Sequence, residues 1–188
     1  MVFCPSYSFM YNVYDAFSEN FLDGKAGSRD SGVIRCVVQK ENMTEKEREE
    51  FLQNFYEVNE EILIGFCVMG GVFSEGIDLK NDCLIGAVIV GTGLPQVCFE
   101  REILKEFFDE EGKNGFDYAY RYPGMNKVLQ AAGRVIRTEE DVGVVALLDE
   151  RFLQNSTRKL FPREWDNFET VSLSTIGRRV ERFWDSWL

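Results

Sequence analysis

ILIGFCVMGGVFSEGIDL, residues 62–79, opens on eight apolar or small residues and then breaks on a pair of glycines. A strand with one face in water would alternate between apolar and polar side chains. A continuous run instead marks a strand covered on both faces, as in a parallel sheet. Four other runs share the pattern: MVFCPS (1–6), GVIRCVVQ (32–39), LIGAVIVG (84–91) and VGVVALLD (142–149). Helical periodicity fills the intervals, over Tyr7–Asn20, Thr44–Tyr56, Phe99–Glu111 and Met125–Arg137. Thr44 and Glu47 form a capping box that marks one helix start. Such alternation predicts an α/β fold, a central, mostly parallel sheet flanked by helices on both sides. A further helix is expected at about 174–187, docked by Trp184 and Trp187. A buried strand at residue 1, with nothing before it to cover the sheet edge, is what a domain cut from a longer chain would look like.

The 188 residues, 45% of them hydrophobic, suffice for one domain with a substantial core. No apolar run is long enough to span a membrane, and no basic-then-apolar leader opens the chain, so a soluble protein is expected, with no membrane partner. The net charge of −11 argues against a nucleic-acid partner until its distribution is considered. Residues 41–61 carry eight acids and two bases, and residues 99–111 carry six acids and two bases, which accounts for −10. Residues 112–137 carry five bases and one acid, so one region is locally basic. The five cysteines are scattered, no C-x-x-C pair occurs and histidine is absent. A metal site within this chain is therefore not expected, and Ser-His and Cys-His nucleophile pairs are excluded. Reduced core thiols suit a cytoplasmic location.

Ligands of parallel sheets bind at the carboxyl ends of the strands. Those ends read CPSYS (4–8), VQKEN (38–42), MGGVFSEGIDL (69–79), VGTGLP (90–95) and LLDERF (148–153). The third is the richest, with Ser74, Glu75 and Asp78 around Gly76. DGKAGS (23–28) lacks the G-x-x-x-x-G-K-[ST] pattern and reads as a loop. VVALLDE (144–150) ends in acids, and Asp149 is read as the cap of the helix that follows. QAAGRVIR, Gln130 to Arg137, holds two arginines three apart beside Gly133. On a continuous helix Val128, Leu129, Ala132, Val135 and Ile136 would share a buried arc of roughly 120°. Lys127, Gln130, Arg134 and Arg137 would then lie within roughly 80° on the opposite side. That face is either a solvated basic surface or a set of guanidinium forks presented to an anion. An arginine pair without a phosphate-cradling loop suits half of a two-part nucleotide site.

CPSYS, GGVFSEGIDL and QAAGRVIR, in this order and separated by strands, resemble motifs IV, V and VI of superfamily 2 helicases. The wording is similar to the DinG/XPD-type branch, above all YPGMNKVLQAAGRVIRTEEDVGVVALLDERF. The resemblance runs from the first strand to LFPREW (160–165) and implies the second of two RecA-like domains, so that 1–188 is a three-layer RecA-like unit. It further implies an ATP-dependent DNA helicase moving 5′ to 3′ on single-stranded DNA, with this chain inactive alone. The N-terminal helicase domain would be its partner and would hold ATP and Mg2+, and any iron–sulfur cluster would also belong there. By implication from the family, Arg134 and Arg137 are arginine fingers and Gln130 lies near the same phosphate. Gly76 and Asp78 would couple nucleotide to the DNA groove, with Ser74 and Glu75 beside them, and Ser6 and Tyr7 would contact the strand backbone. The stretch GLPQVCFE (93–100) carries a single proline where many relatives have a second. Two rival readings are a non-catalytic module that binds a strand or a protein, and a small-molecule enzyme built on the Gly70–Asp78 loop.

Overall fold

The computed structural model describes residues 1–22, 33–56, 61–73 and 83–187. Five strands, β1 (Val2–Cys4), β2 (Ile34–Val38), β3 (Ile62–Val68), β4 (Gly86–Val90) and β5 (Val144–Leu148), form one sheet in the order β2-β3-β1-β4-β5. Every pairing is parallel, with Val2 opposite both Phe66 and Val88, and Gly86 opposite Val144. The five apolar runs are thus the five strands, each shorter than its run.

Successive strand residues point to opposite faces, and the neighbours Phe3 and Cys4 show the consequence. Cys4 joins Phe66 beneath helix α1 (Tyr7–Phe17), which contributes Met10 to a cluster on one face. Phe3 joins Cys67, Ala87 and Ile89 on the other face. That face is covered by α2 (Glu45–Tyr56) through Phe51 and Phe55, and by α4 (Tyr122–Ala132) through Met125, Val128, Ala131 and Ala132. The result is the expected three layers. Helix α3 (Phe99–Glu110) lies outside this scheme. It packs on the turn of π-helix Asp117–Arg121, where Phe108 and Tyr118 stack at 3.9 Å and Arg101 donates to the Ala119 carbonyl.

Two glycines draw the loop after β4 onto the start of α4. Gly93 has φ +64, and a side chain there would meet the Gly124 carbonyl at 2.7 Å. A Cβ on Gly124 would in turn sit 2.7 Å from the Thr92 carbonyl. Helix α4 therefore begins at the carboxyl end of the sheet and runs back toward the amino end.

The Thr44–Glu47 capping box is made in full. Glu47 N–H donates to Thr44 Oγ1 at 3.3 Å, and Thr44 N–H donates to Glu47 Oε2 at 2.8 Å. The backbone hydrogen bond from Thr44 holds the Glu47 carboxyl below its ordinary value. Its contribution is present above the ordinary 4.5 and is lost as pH falls through the depressed folded value. Thr44→Ala is expected to cost about 1 kcal/mol, read as a melting midpoint lowered by about 2–4 °C.

Beyond the sheet, α5 (Asn155–Arg158) leads to α6 (Ile176–Asp185), within the helix expected at 174–187. Its tryptophans do not behave as expected. Trp187 remains 62% exposed, and the described ring contacts of Trp184 and Trp187 are to Phe183 of the same helix. The tail is instead tied by Arg179 to Glu169 at 3.2 Å. No described helix is long and apolar enough to cross a membrane. The loop DGKAGS lies outside the described residues.

Candidate functional site

The helix expected over Met125–Arg137 stops at Ala132, and this moves both arginines off it. Gly133 caps α4, donating to the Leu129 carbonyl at 2.9 Å. The next two N–H groups, of Arg134 and Val135, reach back only three residues, to Ala131 and Ala132. This tightening is how a helix end satisfies its last carbonyls. It lets Val135 bury at 3% exposure while Ile136, expected in the buried stripe, turns out to 46%. Arg134 and Arg137 are therefore half-buried residues of a turn rather than members of one helical face with Lys127 and Gln130. Gln130 stays exposed on the last turn of α4.

What holds this turn is a residue the periodicity could not single out. Asp141 Oδ2 accepts the backbone N–H of Arg137 at 2.8 Å and of Thr138 at 2.7 Å. These bonds, the Arg137 one first, hold the Asp141 carboxyl below its ordinary value. Thr138 Oγ1 also accepts the Glu140 N–H, closing a compact loop that leads into β5. Since Val144 N–H pairs with the Ile85 carbonyl just before β4, the arginine turn sits at the amino end of the sheet. The one sequence cue to Asp141 is an acid four residues after Arg137 and just ahead of an apolar strand.

Ser6 and Tyr7 lie at the other end, directly after β1. Strands of five residues separate the two ends by roughly 17 Å. The structure brings Ser6 and Tyr7 together and keeps them apart from the arginine turn. Ser6 Oγ caps α1 by accepting the Phe9 N–H at 3.3 Å, which gives that hydroxyl a structural task. The Tyr7 hydroxyl accepts from Gln39 Nε2 at 2.9 Å, while Gln39 Oε1 accepts the Val68 N–H at 2.8 Å. Burial, with Glu41 nearby, raises the Tyr7 phenol above its ordinary value. Around this pair is a cleft of about 200 Å³ that also takes in Lys40, Met43 and Arg48. Gln39, Lys40 and Arg48 were not singled out in the sequence, although VQKEN appears there as a strand end. Ser74, Glu75, Gly76 and Asp78 lie outside the described residues.

The same edge continues past β4 and β5. Asp149 caps the short 3-10 turn Glu150–Leu153, as its position predicted, and also grips Arg151 through a two-point pair at 2.8 and 2.6 Å. Beside it a second cleft, of about 130 Å³, is lined by Thr92, Phe116, Arg121 and Met125 among others. Thr92 Oγ1 is buried and has no hydrogen-bond partner among the described residues. A buried hydroxyl in that state costs about 1–3 kcal/mol.

Comparison with known proteins matches residues 1–168 to the family described as Helicase C-terminal domain. A probable ATP-dependent helicase of Methanocaldococcus jannaschii is 29% identical over 157 residues, 78% of this chain and 23% of the relative. The ATP-dependent DNA helicase DinG of Photobacterium profundum is 38% identical over 85 residues, 44% of this chain and 12% of that protein. An XPD structure in the apo form is 26% identical with a TM-score of 0.60, covering 84% of this chain and 29% of the other. An XPD helicase structure at 23% identity and a TM-score of 0.59 shares the fold over 85% of this chain. The chain thus spans less than a quarter of these two curated relatives.

Proposed function

The chain belongs to the helicase C-terminal domain family of DinG/XPD-type proteins, and from that premise we propose that it is the second half of an ATP-driven motor on single-stranded DNA. The observation that carries this reading is the Asp141 clamp, which fixes the backbone beside Arg137 at the amino edge of the sheet. A turn held this way presents guanidinium groups in a set geometry to a charge brought up from another body. Arg134 and Arg137 act as fingers on the terminal phosphate of ATP, with Gln130 beside them. Positioning and charge stabilisation supply most of the catalysis in phosphoryl transfer, so pre-held cations are what this half must provide.

The opposite edge takes the strand. Tyr7, with the Lys40 and Arg48 cations of its cleft, meets the phosphodiester backbone, and Ser6 sets the start of α1 there. Gly76 and Asp78, with Ser74 and Glu75, are assigned to the link between the two edges. Separate edges suit a motor, because nucleotide-driven closure at one end can then move the grip at the other. Movement is assigned the 5′-to-3′ direction of the family.

ATP and Mg2+ are assigned mainly to a nucleotide-binding half, as is any iron–sulfur cluster. Among the described residues no group of three or more His, Cys, Asp or Glu could hold a metal ion. These residues do not fit such a group, and no step is routed through one. The test is ATP hydrolysis by this chain, by the nucleotide-binding half and by the two joined, each with and without single-stranded DNA. Turnover is expected only from the joined protein, and DNA should raise it. Sustained hydrolysis by the pure chain would overturn the division of labour, and turnover indifferent to DNA would leave a binding module.

A further inference from the structure

The second cleft on the carboxyl edge has no part in the strand contacts assigned so far, yet it is built to hold something. Met125 supplies a buried apolar floor, and the Phe116 ring, 37% exposed, supplies a flat wall. The Arg121 guanidinium lies 5.4 Å from that ring's centroid, and Asp117 holds the guanidinium by an ion pair. The aromatic plane is thereby fixed rather than mobile. Thr92 Oγ1, 8% exposed as a residue and without a partner among the described residues, lies in the lining. The Gln154 amide stands at the exposed rim, able to donate and to accept.

We propose that this cleft receives one unstacked base of the single strand that crosses the carboxyl edge. The inference rests on the strand-binding reading above and adds a subsite to it. The base stacks on Phe116, and its polar edge meets Thr92 Oγ1 and Gln154. Its phosphate meets Arg151, which spends two of its five donors on Asp149 and turns others outward. The chain path supports continuity. A side chain on Gly91 would come within 3.8 Å of Arg151 Nη2 and 3.9 Å of Pro5, the residue before Ser6. A strand resting on Ser6 and Tyr7 therefore passes Arg151 before it reaches the cleft.

Charge and size together select the ligand class. Arg121 and Arg151 are each matched by a carboxylate, so the cleft has little net field with which to draw in a bare anion. Its apolar floor and aromatic wall favour a neutral ring instead. About 130 Å³ is well below the range of clefts that take larger ligands, and suits a single ring system. Stacking on an aromatic side chain tolerates every base, so the subsite grips without reading sequence.

Methionine methyl groups report on both clefts, because Met43 lines the one beside Tyr7 and Met125 lines this one. The 188-residue chain, labelled with 13C-methyl methionine, is titrated with a thymidine trinucleotide, its abasic counterpart and inorganic phosphate, and followed by NMR. The trinucleotide is expected to shift both methyl signals, the abasic form to shift Met43 alone, and phosphate to leave Met125 still. Phe116→Ala should weaken trinucleotide binding about tenfold and leave abasic binding unchanged. Gln154→Ala, at an exposed position, serves as the second variant, with a several-fold loss confined to the intact strand. A Met125 signal that ignores the trinucleotide while Met43 responds overturns the base subsite and leaves the strand reading standing. If neither signal moves, the strand reading falls and the subsite with it. If phosphate shifts Met125 as far as the trinucleotide does, the cleft is an anion site and the base assignment fails.

Discussion

Arg137→Ala, placed in a protein that joins this chain to its nucleotide-binding half, is expected to cut DNA-stimulated ATP hydrolysis by about a thousandfold or more. An arginine finger acts on charge that develops as the phosphoryl group leaves, so the loss should fall on turnover rather than on ATP affinity. Arg137→Lys should recover little. A lysine ammonium keeps the charge but cannot offer the planar fork, and its shorter reach alters the approach. Single-strand affinity should be nearly unchanged, because the strand edge lies across the sheet from this turn. The partly exposed side chain implies a small effect on stability, and the melting midpoint should be recorded beside the rate. A variant that folds, binds DNA and still turns over ATP within a few-fold of wild type would remove Arg137 from the catalytic role. It would also return QAAGRVIR to a solvated basic surface.

The strands were legible because parallel sheets bury both faces, and that leaves an unbroken apolar run in the sequence. The arginines were legible as residues but not as geometry. Periodicity carried the helix through Arg137 because Val135 and Ile136 continue the apolar stripe. The structure ends it at Gly133, since a short tightened turn buries Val135 without burying Ile136. A hydrophobic pattern cannot distinguish a sixth helical turn from a cap followed by one buried valine. Gln39 was hidden for a related reason. It is a polar residue at the end of an apolar run, and its value lies in bonds to Tyr7 and Val68, one 32 residues away and the other 29. Long-range hydrogen bonds leave no local signature. The same is true of Thr92, which gains meaning only from the cleft that Arg121, Met125 and Arg151 build around it. The tryptophans of α6 show the converse error, in which large apolar side chains were taken as docking groups although Trp187 remains mostly in solvent.

Asp141→Ala should reproduce part of the Arg137 defect without touching either arginine. The carboxylate accepts two successive backbone N–H groups, and removing it frees the chain at the residue that carries the finger. A displacement of about 1 Å at a catalytic group can cost about a hundredfold in rate, and a loss of that order in turnover is expected. Asp141→Asn separates geometry from charge. Its amide oxygen can still accept both N–H groups, so turnover should stay within a few-fold of wild type. If instead the asparagine variant is as slow as the alanine one, the Asp141 charge rather than the loop geometry would be what matters. The acid limb of the rate profile gives an independent readout. The Asp141 carboxyl titrates below its ordinary 3.8 in the folded protein, so the clamp is intact above that value and is lost as pH falls through the depressed one. Wild type should therefore show an acid-side loss, attributable to the clamp, that the alanine variant lacks. Strand affinity measured on the same proteins should not change in either variant. A hundredfold drop in turnover with unchanged strand binding is a result that a residue of purely structural importance would not produce.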